Sequence, residues 1–138
     1  PVNLLAMVML ATPRQAMLES DLERQLELYL KLLRIAPYSP HATVTDLDAP
    51  AILKLGFERG LLVRLEGGAV GLAPAHAAPM AYYRNNVLHV FAMTSLLACC
   101  FQSNQKLRTA DVLRLAGRIY PYVSSELFLR WNEEEIGE

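Results

Sequence analysis

The chain has 138 residues and a formal net charge of −1, and this length suits one domain, or one part of a larger protein, better than two domains. Its hydrophobic fraction of 53% is slightly high for a soluble domain, so we expect the excess in a core, a partner interface or a membrane surface. Because nucleic-acid binders usually carry a basic patch or a high isoelectric point, the even balance of charges disfavours that class.

The first half of the chain predicts three helices. Val2–Ala11 is apolar on nearly every side, as expected of a short buried helix, and it looks like a helix already under way, which hints at further chain before it. Over Glu19–Ile35, leucines recur at helical spacing, with acidic residues in the first turn and basic residues near the end, which predicts an amphipathic helix. Asp48 as a cap and Pro50 in the first turn predict a short third helix over residues 50–59.

A short β-hairpin is predicted after the third helix. Residues 61–65 and 69–72 are rich in Leu and Val and flank Gly67 and Gly68, a pair that favours a tight turn. Since an isolated hairpin is only marginally stable, we expect it to lie on the helices.

The longest helix is predicted over residues 79–102. Its centre, residues 87–101, is nearly all apolar but is shorter than the roughly 20 residues that span a bilayer, so we expect a buried central helix. Two further helices are predicted over residues 109–118 and 121–134. The expected fold class is therefore mainly α, a compact helical domain of about six helices with one small β-hairpin.

One polar segment, residues 82–86, lies near the start of the longest predicted helix. It consists of Tyr82, Tyr83, Arg84, Asn85 and Asn86. On a continuous helix, Asn85 and His89 would share one stripe beside an apolar face. One interpretation is an anion-contacting or interdomain cluster with Arg84 as its charged member. The other is an internal hydrogen-bond network that joins the helix to a neighbouring loop, and the residues alone favour it, because a buried asparagine amide needs partners.

The histidines and cysteines form no metal or nucleophile motif. His41, His76 and His89 lie far apart in the sequence, without the spacing of a metal site. Cys99 and Cys100 are adjacent, so they cannot easily bridge each other, and their apolar surroundings predict small core residues.

The end of the chain carries charges at helical spacing. Glu126, Arg130 and Glu134 could form a ladder along the last predicted helix, most simply as its solvated face. Trp131 near the end could anchor the tail against the rest of the domain.

Several short motifs follow one another at irregular spacing. Asn3-Leu4 opens the chain, Pro37-Tyr38-Ser39 follows the second helix, and the polar segment is followed two residues on by His89. Tyr120-Pro121 then precedes residues 126–131, which read E-L-F-L-R-W. In this order the motifs resemble the C-terminal region of bacterial membrane-associated glycerol-3-phosphate acyltransferases, and the resemblance covers essentially the whole chain.

The resemblance implies an activity for the whole enzyme. It implies transfer of a fatty acyl group from acyl carrier protein or coenzyme A to the sn-1 hydroxyl of glycerol 3-phosphate. It also implies a peripheral or monotopic position on the cytoplasmic face of the bacterial inner membrane, in contact with lipid, and no cofactor. Residues 1–138 would be a C-terminal helical domain that packs against an upstream acyltransferase domain.

The resemblance places the catalytic H-x-x-x-x-D and the glycerol-phosphate-binding motifs in that upstream domain. We therefore expect no catalytic residue in this chain and no activity of the chain alone. The interdomain or anion-contact candidates are Tyr82, Tyr83, Arg84, Asn85, Asn86 and His89. Arg130 and Trp131 are expected to have structural roles.

His41 and Asp46 have the H-x-x-x-x-D spacing but lie in a loop between prolines. In that dyad the histidine would take the acceptor hydroxyl proton and the aspartate would orient the imidazole. A single His and Asp at one offset is a weak pattern, and we interpret this pair as a coincidence.

Two other classes of function remain open. A helix followed by a Gly-Gly hairpin, residues 48–72, loosely follows a winged-helix interaction module, although Arg64 is the one basic residue near the wing, which argues against DNA. A membrane-surface adaptor is the second class, but the sequence lacks the strongly basic amphipathic helix typical of it.

Overall fold

In the computed structural model, residues 1–103, 106–127 and 129–132 are described, and they contain six α-helices and one three-stranded antiparallel sheet. The mainly α fold class is therefore confirmed. The chain divides into two compact units, Pro1–Val87 and Leu88–Glu138, a division that the sequence does not mark.

The first unit contains four helices and the whole sheet. Its elements are α1 (Val2–Ala11), β1 (Ala16–Leu18), α2 (Glu19–Ile35), α3 (Ala49–Glu58), β2 (Leu62–Arg64), β3 (Ala69–Leu72) and α4 (Ala77–Asn85). Because α1 is apolar all round, it packs against α2, α3 and α4, and the prediction of a short buried helix is confirmed. From α2, the leucines at helical spacing, Leu22, Leu26 and Leu30, are buried in this core.

Capping and turn residues fix the start of α3 and the hairpin. The Asp48 carboxylate accepts a hydrogen bond from the Ala51 amide at 2.9 Å, as predicted for an N-cap. Gly67 and Gly68 have φ angles of 69° and 75°, which glycine adopts at low cost, and they form the predicted turn between β2 and β3. The hairpin prediction is confirmed but incomplete, because β1 adds a third strand with Ala16 paired to Gly71.

The order of elements in the first unit is that of a winged-helix domain. A helix, a strand, two helices and a hairpin follow one another, and the strands lie in the order β1-β3-β2. The likeness expected for residues 48–72 thus extends over α1 to β3, because the unpredicted strand β1 supplies the missing position. This layout alone assigns no function.

The second unit contains α5 (Leu88–Cys100) and α6 (Thr109–Glu126), which pack against each other. The predicted helix over residues 79–102 is wrong in one respect, because α4 ends at Asn85 and α5 begins at Leu88. Asparagine side chains compete for backbone hydrogen bonds, and two in succession favour a helix end.

The burial of α5 also differs from the prediction of a buried central helix. The helix buries one stripe, consisting of Phe91, Ala92, Leu96 and Cys100, while Leu97 and Cys99 are exposed. The prediction of core cysteines is therefore right for Cys100 and wrong for Cys99.

The two helices predicted at the end of the chain are one helix, α6, with Pro121 inside it. Proline removes one helical hydrogen bond at a cost of roughly 3 kcal/mol. Ala116 and Tyr120 are buried just before the proline, and this packing offsets the cost. The helix ends at Glu126, well before the predicted residue 134, and residues 133 and 134 lie outside the described residues.

Candidate functional site

The polar segment forms the last turn of α4 and its cap, on the surface of the first unit. Its tyrosines are exposed, with 67% of Tyr82 and 38% of Tyr83 accessible, and both asparagines are exposed as well. The expectation of a polar stripe inside a mostly buried helix is therefore wrong. The segment is available for contact with another surface.

The side chains of this segment contact each other. The rings of Tyr82 and Tyr83 are edge to face, with centroids 5.9 Å apart and planes at 67°. The Arg84 guanidinium donates from Nε and Nη2 to Asn85 Oδ1, at 3.3 and 3.1 Å. A positive charge also suits the C-terminal end of a helix, where the backbone dipole is negative.

These contacts do not form the internal network that the residues alone favoured. In the part of the chain that the structure describes, the recorded side-chain hydrogen bonds of Arg84 go to its neighbour Asn85, and none joins the segment to a loop. What the arrangement offers is an oriented guanidinium beside two exposed phenol rings. Such a surface suits an anion or a protein partner.

His89 does not share a helical face with this segment. It is half-buried in the first turn of α5, in the second unit, while Asn85 ends α4 in the first. The predicted stripe through Asn85 and His89 is wrong, because a helix break separates the two positions.

The tail of the second unit, residues 129–132, is hydrogen-bonded to α6. The Tyr120 hydroxyl donates to the Trp131 carbonyl oxygen at 2.6 Å, and the Tyr120 side chain is fully buried. The Arg130 guanidinium lies over the Trp131 ring, 5.1 Å from its centroid. Since α6 ends at Glu126, Arg130 is not on that helix, so the predicted ladder through Glu126 and Arg130 is wrong, and Glu134 lies outside the described residues.

A charged cluster in the first unit was not predicted. Arg64 on β2 forms an ion pair with Glu19 at the start of α2, and its guanidinium lies 4.3 Å from the centre of the Phe57 ring on α3. These residues line a groove of about 430 Å³. The partners are 45 positions apart along the chain, so no local pattern could have indicated the contact. It joins three elements of the fold and has no reactive pair.

His41 and Asp46 are both exposed, in the loop between α2 and α3. The backbone amide of His41 donates to Ser39 Oγ at 3.2 Å, and the described residues show no hydrogen bond between the His41 and Asp46 side chains. An oriented, sheltered imidazole is what a catalytic dyad requires, and this loop does not supply one.

Within the described ranges, no helix combines the length and the hydropathy needed to cross a bilayer.

Comparison with known proteins gives one consistent family. All residues, 1–138, match the model of the glycerol-3-phosphate acyltransferase C-terminal region. Proteins named glycerol-3-phosphate acyltransferase from Pseudomonas aeruginosa and Pseudomonas fluorescens are each 46% identical over 99% of the chain. One from Xanthomonas axonopodis pv. citri is 42% identical over the whole chain.

The matches cover only part of each relative. The chain spans about 17% of the Pseudomonas proteins and 16% of the Xanthomonas protein. No solved structure matches the chain significantly. The resemblance given by the polar segment and the E-L-F-L-R-W motif is confirmed, and the chain belongs to the family of glycerol-3-phosphate acyltransferase C-terminal regions.

Proposed function

We propose that this chain is the C-terminal part of an enzyme that transfers a fatty acyl group from acyl carrier protein or coenzyme A to the sn-1 hydroxyl of glycerol 3-phosphate. This reaction is the first step of phospholipid biosynthesis. The observation that carries the proposal is the family match over residues 1–138, in relatives about six times as long that bear the name of this activity.

In this proposal the chain supports the reaction and does not perform it. Acyl transfer to a hydroxyl needs a general base within hydrogen-bond reach of that hydroxyl. The one H-x-x-x-x-D pair lies on an exposed loop, and it lacks the orienting contact described above. The reacting groups then belong to the upstream acyltransferase domain, with the substrates bound there.

The polar segment is the proposed contact with that domain. Tyrosine and arginine are enriched at protein interfaces, because they bury large areas and keep a polar end for hydrogen bonding. The side-chain oxygen of Asn85 accepts a hydrogen bond from the Arg84 guanidinium and so orders it before any partner binds. Binding a partner then costs less conformational entropy at this long side chain.

The proposal includes a place in the cell, the cytoplasmic face of the bacterial inner membrane, in peripheral or monotopic contact with lipid. The resemblance to the membrane-associated family supports it. Fractionation of cells that express a full-length enzyme with this region tests it, and recovery of the enzyme in the soluble fraction at low and high salt would contradict it.

A hybrid enzyme gives the direct test of function. We define it as the Pseudomonas aeruginosa relative in which this chain replaces the matching C-terminal residues. We expect acyl transfer dependent on glycerol 3-phosphate from the hybrid enzyme and none from the 138-residue chain. Activity of the chain alone would overturn its supporting role, and an inactive but folded hybrid would count against the assignment.

Substitution of Arg84 by Ala in the hybrid enzyme tests the contact. We expect about a tenfold loss of activity or of resistance to thermal inactivation, because truncating a central interface arginine commonly costs more than 1 kcal/mol. Arg34→Ala is the matched control, since Arg34, like Arg84, is the basic residue in the last turn of a helix of the first unit. Equal behaviour of the two variants would remove Arg84 from the interface.

The winged-helix layout of the first unit favours a second candidate, a nucleic-acid or protein interaction module. The helix that would enter a DNA groove, α3, carries one basic residue, Lys54, and this is paired with Glu58 at 3.8 Å. Such a surface cannot neutralise several phosphates. A gel-shift assay with duplex DNA at two salt concentrations tests the nucleic-acid form of this candidate, and we expect no salt-dependent shift.

A further inference from the structure

The helices of the first unit cover only one face of its three-stranded sheet. On the inner face, Leu62, Val70 and Leu72 are buried in the core. The strand register assigns the outer face to alternate positions on each strand. These positions are Ala16, Leu18, Val63, Leu65, Ala69 and Gly71.

Side-chain geometry confirms this assignment at the centre of the face. A Cβ atom built on Gly71 would lie 2.9 Å from Leu65 Cδ1 and 3.7 Å from Val63 Cγ2, so both side chains lie on the same side of the sheet as Gly71. Leu65 continues the pairing beyond β2, because its amide donates to the Ala69 carbonyl at 2.8 Å.

This outer face has no polar side chain, yet it is open. Leu18 is 49% exposed, Leu65 46% and Val63 37%. An antiparallel sheet with one solvated face normally alternates apolar and polar residues along each strand, whereas strands covered on both faces are apolar throughout. The composition of the face is that of a covered sheet.

We propose that the outer sheet face packs against an apolar surface of the remainder of the acyltransferase polypeptide, the part that precedes the matching residues in the full-length relatives. This inference rests on the proposed function. It adds an apolar contact to the polar segment and explains why the face lacks polar residues.

The size of the face favours a tethered occupant over a free one. With strands about 4.8 Å apart and a rise of about 3.4 Å per residue, the face measures roughly 200 Å². Stable association of free proteins buries about 800 Å² on each partner, which disfavours a second copy of the chain. A surface in the same polypeptide is present at a high effective concentration, so a small apolar contact suffices.

The charges around the face disfavour a lipid occupant. The face carries no Lys or Arg, and the flanking segments contribute one base, Arg14 before β1, and one acid, Glu66 in the turn, so the surroundings are not basic. Surfaces that bind anionic membranes combine apolar residues with basic ones. An uncharged apolar protein surface fits this composition better.

The test compares Leu18→Glu with Leu28→Glu. Both leucines are 49% exposed in the first unit, but Leu28 lies on α2 and outside the sheet. In the 138-residue chain, we expect both variants to unfold within a few degrees of the parent, because exposed sites tolerate such changes.

In the hybrid enzyme, Leu18→Glu would place an unpaired charge in the contact. We therefore expect a protease to release the C-terminal region about tenfold faster from this variant, with no change for Leu28→Glu.

Each other outcome overturns the proposal. Equal protease release in both variants of an active hybrid would overturn this inference alone and leave the proposed function intact. A folded but inactive parent hybrid would overturn the proposed function and, with it, the inference that rests on it. Strong destabilisation of the 138-residue chain by Leu18→Glu alone would assign the face to this chain's own core. If the chain formed concentration-dependent dimers that Leu18→Glu abolished, the face would bind a second copy. If the chain floated with phosphatidylglycerol vesicles and Leu18→Glu abolished the flotation, the face would bind lipid.

Discussion

The Tyr120 hydroxyl donates a 2.6 Å hydrogen bond to the backbone carbonyl of Trp131. The tyrosine is fully buried on α6, and the tryptophan lies in the tail beyond the end of that helix. The two residues belong to the Y-P and E-L-F-L-R-W motifs, eleven positions apart. One contact therefore gives a physical reason for both motifs, since a buried hydroxyl needs an acceptor and the tail carbonyl supplies it.

Replacing Tyr120 by Phe is expected to lower the free energy of unfolding by about 1 kcal/mol, and at most by about 3 kcal/mol, because the Trp131 carbonyl loses its donor. Trp131 is the single tryptophan, so its fluorescence during urea unfolding reports the second unit directly. We also expect the emission of the folded variant to shift to the red as the tail loosens.

Tyr122→Phe is the matched control for this measurement. Tyr122 lies on the same helix and is 75% exposed, so loss of its hydroxyl should leave the free energy of unfolding unchanged within about 0.5 kcal/mol. Identical midpoints for the two variants would show that the contact between Tyr120 and Trp131 contributes nothing to stability.

Gly56→Ala is expected to destabilise the first unit by about 1–3 kcal/mol. Gly56 is buried on α3, and an added Cβ would lie 2.8 Å from Leu62 Cδ1 and 2.9 Å from Leu5 Cδ2. Both leucines are themselves buried, so neither can move aside freely, and overpacking outweighs the better helix propensity of alanine. Thermal unfolding followed by circular dichroism measures the effect.

Gly117→Ala gives the opposite expectation on another helix. Nothing lies within 4 Å of a Cβ atom built on Gly117 of α6, so alanine should gain up to about 1 kcal/mol from propensity alone. If both glycine variants shifted the melting temperature in the same direction, packing at Gly56 would not be the cause.

Local signals predicted much of the first unit. The cap residue Asp48, the glycine pair at the turn and the spacing of Leu22, Leu26 and Leu30 act over a few residues, so they are legible in the sequence. Strand β1 has three residues, too few for an alternation to be recognised. Its existence depends on pairing with β3, more than fifty positions away.

The polar segment was found by its composition, but its burial was not predictable. Periodicity shows which residues share a helix face, and only the tertiary fold decides what covers that face. The apolar run after Asn86 therefore looked like part of one buried helix, whereas the chain breaks there and α5 buries a single stripe. The pairing of Arg64 with Glu19 was hidden for the same reason, because the two residues meet only when α2 and the sheet have formed.

Asp48→Ala should cost about 1 kcal/mol of stability, within a range of about 0.5–2 kcal/mol, because it leaves the Ala51 amide without its capping acceptor. Asp46→Ala is a suitable comparison, since Asp46 is an exposed aspartate in the preceding loop. Urea unfolding followed by circular dichroism should separate the two variants. Equal stability of both would show that the cap is dispensable for α3.

His41→Ala in the hybrid enzyme should leave the rate of acyl transfer unchanged within about twofold. A catalytic histidine typically raises the reaction rate about 10²–10⁴-fold, so loss of a true catalytic histidine would lower the rate by a factor that is easily measured. His41 and Asp46 are both open to solvent, and the recorded contact of His41 is a backbone hydrogen bond to Ser39 at 3.2 Å. The informative control is the histidine of the H-x-x-x-x-D motif expected in the upstream domain, whose replacement by alanine should abolish transfer. A hundredfold loss with His41→Ala would instead place the reaction in this chain.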